Sequence, residues 1–223
     1  MCGRYGASTV EQIANRFKAE IRMTENKTGY EVFPSQSVPV ILQETGLVLD
    51  SLKWGLSPVW SKSLLINARR ENLMTSKFWK PSIETRRCLV PASAFFEWQT
   101  LNGKKTKWKI ALKGSDLFCF AGIYDTVRDK NNNEIVSFAI LTEPANPLMK
   151  HIHNFGDNKH RQPVIVMDEQ YNEWLDTKRP AEKVLDSIGT YSEDLLEAEP
   201  ERERLTVLMN KDLFRKICFP FRI

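Results

Sequence analysis

Between Val38 and Met167 the chain is a succession of short apolar runs separated by tight-turn residues, and that rhythm restricts the fold more than any other feature. Val38-Pro39-Val40-Ile41-Leu42 and Leu47–Trp54 are joined through Glu44-Thr45-Gly46. Arg87–Val90, Ala94–Gln99, Lys107–Leu112, Leu117–Tyr124, Ile135–Thr142 and Pro163–Met167 follow. Runs of this length, rich in β-branched and aromatic residues and bounded by turn formers, read as strands. Asn102-Gly103 is a strong hairpin signal, because the two-residue turns that match strand twist need positive φ at their centre. Helical spacing is confined to short pieces. Ser8–Phe17 has Ser8 and Glu11 in capping-box spacing and an Ile13, Ala14, Phe17 stripe. Met74–Trp79 reads as a helical turn, Pro144–Ile152 as a loop and short helix, Tyr171–Leu175 and Ala181–Ile188 as helices, and Leu205–Met209 as a last strand. The expected fold is therefore α+β: a single domain of mostly antiparallel β-sheet, barrel-like, flanked by short helices.

At 223 residues the chain is large enough for one core that buries roughly 70% of its unfolded surface. With 42% hydrophobic and 27% charged residues it reads as a soluble globular protein. No basic-then-apolar leader opens it, and no apolar run reaches membrane-spanning length. Cys2, Cys88, Cys119 and Cys218 are scattered without a CxxC pair, which argues against a zinc site and for a reduced, intracellular chain. The expectation is a cytoplasmic monomer, with no cofactor, no metal and no membrane partner.

The net charge of +4 is too mild to establish a nucleic-acid partner. Its distribution is uneven. Arg86, Arg87, Lys104, Lys105, Lys107, Lys109 and Lys113 face only Glu97 over their span, and residues 193–203 are strongly acidic. A solvated face and a nucleic-acid surface are both open readings of the basic stretch.

Five groups of residues could carry chemistry or binding. If Met1 is removed, Cys2 places a thiol and an α-amine on adjacent carbons. An α-amine has a pKa of about 8 against about 10.4 for lysine, so its nucleophilic fraction at neutral pH is roughly 10²-fold larger. With an aldehyde such a residue can close a five-membered thiazolidine ring; it can equally be an inert strand opener. Glu97 stands among Ala94-Phe95-Phe96-Glu97-Trp98, where burial between aromatics would raise its pKa toward the range of a general acid or base. His151, His153 and His160 fall within ten positions; proton transfer by one of them is a better reading than a metal site, since no carboxylate motif completes one. Asn67 and Arg69 alternate on an extended segment, an amide beside a guanidinium suited to a phosphate. The Trp54-Gly55-Leu56-Ser57-Pro58-Val59-Trp60 loop carries two aromatics suited to base stacking, or to the core.

Met1-Cys2-Gly3-Arg4-Tyr5, Trp54-Gly55-Leu56-x-Pro58-x-Trp60, Asn67-Ala68-Arg69-x-Glu71, Phe95-Phe96-Glu97-Trp98 and Ile152-His153 with Arg161-x-Pro163-Val164-Ile165 stand in one order along the chain. Together they resemble the SOS-response-associated peptidase (SRAP) family of abasic-site processing proteins. The resemblance implies one SRAP-like domain over residues 1–223 that recognises abasic sites in single-stranded DNA. It further implies covalent capture of the opened sugar by Cys2, self-removal of Met1 as a peptidase and a possible lyase activity. By the same resemblance Asn67 positions Cys2, Glu97 moves protons on its amine, and His153 protonates the sugar oxygen. Arg4, Arg69, Lys77 and Arg161 hold the DNA backbone, with Trp54 and Trp60 near the bases.

The chain departs from the family pattern in places. His, one residue, Arg and Met-Pro usually follow in tight succession, whereas here Asn154 to His160 intervenes before Arg161-Gln162-Pro163. His160 is therefore a rival of His153, which is favoured by the preceding Ile152 and by its spacing from Thr142. Glu31-Val32-Phe33-Pro34 replaces the usual Asn-x-Ala-Pro, and Ala94 stands where glycine is common. Two other functions compete: an N-terminal-nucleophile glutamine amidotransferase, and a non-catalytic single-strand-binding module using the basic hairpin and the tryptophans.

Overall fold

The computed structural model describes residues 3–23, 29–128 and 132–201. Cys2 and the expected strand Leu205–Met209 lie outside them. In chain order the strands are β1 (Tyr5–Gly6), β2 (Glu20–Ile21), β3 (Glu31–Val32), β4 (Ser37–Gln43), β5 (Leu47–Trp54), β6 (Asn67–Arg69) and β7 (Arg87–Ala92). They continue with β8 (Ala94–Leu101), β9 (Lys104–Leu112), β10 (Phe118–Arg128), β11 (Glu134–Pro144), β12 (Arg161–Pro163), β13 (Ile165–Val166) and β14 (Leu196–Pro200). The helices are α1 (Val10–Phe17), α2 (Lys80–Thr85), α3 (Pro147–Ile152), α4 (Tyr171–Leu175) and α5 (Ala181–Ser187).

The expected α+β class is what forms. One sheet runs β12-β11-β10-β7-β4-β5-β2, and a parallel pairing of β11 with β5 closes its centre into a ring. The second sheet is β14-β9-β8-β1-β3. Alternation explains how the two share a core. Phe118 and Phe120 of β10 and Val38 and Val40 of β4 pack with Tyr5, Phe95 and Ile110 of the second sheet. Cys119, Ala121 and Ile123, with Ile41 and Leu89, point the other way onto Ile13, Trp174 and Val184 of the helices. Both faces are buried, so these strands read as nearly continuous apolar runs.

Several local details differ from expectation. The cap of α1 is Thr9, not Ser8: its hydroxyl accepts from the Gln12 N–H, and the Gln12 side chain accepts from the Thr9 N–H. Ser8 is buried one residue earlier. The helix expected at Met74–Trp79 forms later, as α2, where Pro81 suits the first turn. Pro163–Met167 divides between β12 and β13, which pair with β11 and β10 respectively. Asn102 and Gly103 have φ of 50° and 75°, as the hairpin requires.

Part of the basic stretch is taken up within the fold. Arg87 is buried, with its guanidinium donating to the carbonyls of Ile83 and Trp174, so it ties helix ends together. The acidic segment supplies β14, which lies antiparallel on β9 and pairs Glu199 with Lys109. Lys107 pairs with Glu31 and with Glu201. Among the described residues no helix is long and apolar enough to cross a membrane.

Candidate active site at the edge of the second sheet

β1 is the strand that brings the start of the chain to the chemistry. It lies between β3 and β8, with Tyr5 opposite Phe95 and Gly6 opposite Ala94. The Phe96 N–H donates to the Arg4 carbonyl, so the register continues, and one further step sets Gly3 opposite Glu97. The approach is tight. A Cβ on Gly6 would meet the Ser93 hydroxyl at 2.7 Å and the Tyr30 ring at 3.1 Å. Tyr5 packs its ring 5.2 Å from Trp54 and 5.8 Å from Phe120, locking the strand over the core.

Gly3, Arg4, Glu97, Lys105, His153 and Phe155 contribute to one open cleft of about 540 Å³. Glu97 is 3% exposed, and burial pushes its carboxyl up to about 7, against smaller opposing effects from the Trp98 N–H and Lys105. His153 ends α3 and is 7% exposed; burial pushes its imidazole down to about 4. Its Nε2 stands 3.7 Å from Glu97 Oε2. Its Nδ1 lies 3.0 Å from the Arg161 carbonyl oxygen and 3.4 Å from the Arg161 nitrogen. A carbonyl only accepts, so the shorter contact assigns the ring proton to Nδ1 and the basic position to Nε2, facing the carboxyl.

Backbone clamps hold this pair. The Gln99 amide donates to the His151 carbonyl at 3.2 Å. Asn154 accepts from the Thr100 N–H at 2.9 Å and donates to the Thr100 carbonyl at 3.0 Å. Both join β8 to the chain around His153. His160 is exposed, has φ 61°, and donates its N–H to the His153 carbonyl at 2.8 Å. The structure thus brings His153, rather than His160, to Glu97.

The other expected residues separate into two groups. Arg4 is partly exposed, with its guanidinium 4.6 Å from the Phe33 ring, 5.0 Å from the Trp98 ring and 3.5 Å from Glu31. Arg69 is exposed and donates to Asn158 at 3.0 Å; Lys77 is exposed as well. Asn67 opens β6, opposite Ile140. Trp60 is 64% exposed, edge-on to Phe78 at 5.0 Å. Trp54 is a correction. It is 0% exposed, packs against Tyr5 and Phe138, and donates its indole N–H to the Ile66 carbonyl at 3.0 Å, so it cannot reach a base. Because β5 ends on β11 at Phe138 and β6 resumes on it at Ile140, Trp54 pins the neck of the 55–66 excursion that carries Trp60. Arg161 is a second correction. At 7% exposed it grips Glu71 with both terminal nitrogens and donates to the Thr142 carbonyl at 2.7 Å, so its guanidinium ties β11 to the turn after β6 instead of reaching for phosphate.

Sequence reasoning missed Asn154, Gln99 and Phe155. Asn154 and Phe155 lie between the two rival histidines His153 and His160, and that placing was the available signal.

These features define a class: a single α+β domain whose leading strand runs into a cleft holding a buried carboxyl–imidazole pair. The profile of the family described as SOS response associated peptidase (SRAP) matches residues 1–206, and the chain belongs to that family. It is 34% identical over 209 residues to the abasic site processing protein YoqW of Bacillus subtilis, covering 89% of this chain and 91% of that one. It is 29% identical over 183 residues to the abasic site processing protein YedK of Escherichia coli, covering 78% and 79%. A crystal structure of a Bacteroides thetaiotaomicron protein superposes with a TM-score of 0.80 at 24% identity, covering 90% of this chain and 92% of that one, and so shares the fold.

Proposed function

We propose that this protein captures abasic sites in single-stranded DNA by closing a thiazolidine between Cys2 and the aldehyde carbon of the opened sugar, once Met1 has been removed. The observation that carries the reading is the buried Glu97–His153 pair in a cleft shared with Gly3, the residue bonded to Cys2. Its relatives, named as abasic site processing proteins, give the substrate class.

The chemistry balances without a cofactor. The Cys2 nitrogen adds to the aldehyde carbon, and the resulting carbinolamine loses water to give an imine. The sulfur then adds to the same carbon, its proton passing to the nitrogen. Each step moves a proton at or near the amine, which suits a carboxyl with a pKa near 7 that can take one and return it. His153 needs a supply. As a neutral ring with its proton on Nδ1 it has none at Nε2 to give the sugar oxygen, and Glu97 is the supplier 3.7 Å away. The transfer is uphill, since burial holds the carboxyl's affinity for its proton high and also disfavours the charged imidazole. Arg4 and Arg69 hold phosphates, with Lys77 and Trp60 further along the strand, and Asn67 orients the Cys2 backbone. By the same reading, Glu97 assists loss of Met1.

A denaturing gel with a single strand carrying one abasic site tests this. The wild type should give a shifted, DNA-linked species, absent with intact DNA and absent for Cys2→Ala. Glu97→Gln should slow its appearance roughly 10²-fold. An adduct that survives Cys2→Ala, or active protein whose intact mass retains Met1, would sink the reading. Ammonia release from glutamine would point to the amidotransferase instead.

A further inference from the structure

Asn154 to His160 separate His153 from Arg161, and the structure shows what this segment builds. Asn154 is bolted to Thr100 by two hydrogen bonds, and the His160 N–H returns to the His153 carbonyl at 2.8 Å. The Asn158 side chain accepts from Arg69 at 3.0 Å, and the Lys159 N–H closes on the Gly156 carbonyl at 3.1 Å. Gly156, at φ 89°, turns the chain directly after Phe155. The outcome is a tied loop presenting Phe155 to solvent, 69% exposed, on the lip of the cleft that holds Glu97 and His153.

A large apolar ring held outward beside a polar cleft forgoes its burial, so a partner that covers it gains what the fold leaves unused. The surroundings say which partner. Asp157 and Lys159 balance each other on the loop, but across the cleft Arg4 and Lys105 supply positive charge, Lys105 lying 5.7 Å above the Trp98 ring. An aromatic platform beside cations is how proteins hold an unpaired nucleotide, the ring stacking the base and the cations following the phosphates.

We infer that Phe155 stacks on the nucleobase adjoining the abasic sugar, so that the loop after His153 selects damaged sites with a base-bearing neighbour. This rests on the single-stranded abasic substrate proposed above. Asn154 anchors the backbone beside the ring, and base–aromatic stacking of about 1–3 kcal/mol corresponds to roughly 5- to 150-fold in affinity.

The experiment separates stacking from capture. Fluorescence anisotropy with single strands containing a tetrahydrofuran residue, which has no aldehyde, reads binding alone. With adenines flanking that residue, Phe155→Ala should weaken binding about tenfold, while Phe155→Trp keeps wild-type affinity. With further tetrahydrofuran residues as neighbours, wild type and Phe155→Ala should bind alike. Equal loss on both strands, or no loss on either, overturns the inference. Gels with true abasic sites in the same flanks then test capture: a wild type giving no adduct would end the Cys2 reading while leaving the anisotropy result to judge Phe155.

Discussion

Glu97 has a pH signature that follows from its burial. Its folded pKa of about 7 lies above the ordinary 4.5, so the native state retains a proton that the unfolded state has lost between those values. Stability owed to the protonated carboxyl is full below 4.5 and is lost as pH rises through about 7, a change of about 3 kcal/mol. Glu97→Gln should therefore unfold at higher denaturant than wild type at pH 8, with the difference fading by pH 5. A variant no more stable at pH 8 would mean the carboxyl is not desolvated as described. His153 has the opposite sign: its folded value of about 4 lies below 6.5, so its contribution is present above 6.5 and lost as pH falls toward 4. Glu97 was legible in the sequence because its neighbours are aromatic on both faces of a strand. Trp54 was not, since a tryptophan suits a core and a base equally. The clue lay in β5, where burial of Leu52 carries on to Trp54 at strand period.

Among the elements, the junction of α3 with β8 sets the distance between the acid and the imidazole. Asn154→Ala removes both bonds to Thr100 and should destabilise the protein by about 1–2 kcal/mol. Faster hydrogen exchange at the Thr100 amide would locate the loss there, and exchange unchanged at that amide would count against the clamp. Long strands and hairpins were readable, because β4, β5 and β8 to β11 repeat their apolar period several times. β1, β3 and β6 are two or three residues long and carry no period; pairing alone makes them strands. β14 was hidden by its acids. Its Leu196, Ala198 and Pro200 alternate with Glu197 and Glu199, a pattern that makes sense only beside the lysines of β9.

For the whole molecule, this acid-on-lysine pairing predicts a modest electrostatic footprint despite the lysine-rich hairpin. Lys107 and Lys109 are engaged by Glu31, Glu199 and Glu201; on the function proposed above, Arg69, Lys77, Lys105 and Arg4, whose guanidinium also stands 3.5 Å from Glu31, meet the phosphates. Four contacts at about 0.7 each give a slope of roughly −3 for log affinity against log salt on single strands. Arg4→Gln should reduce that slope by about 0.7, whereas Lys107→Gln should leave it unchanged; a fall of equal size for Lys107→Gln would show that Glu31 and Glu201 do not neutralise it.

The place of β1 inside its sheet has a consequence in time. Tyr5 finds one partner at Val32 but the other at Phe95, so the pairing that delivers Gly3 to Glu97 must wait for a closure spanning most of the first hundred residues. A nascent chain released short of β8 would have its nucleophile and no acid beside it. On the capture chemistry proposed above, the warhead is thus armed by the completion of folding, and stray metabolic aldehydes meet an unassisted amine until then.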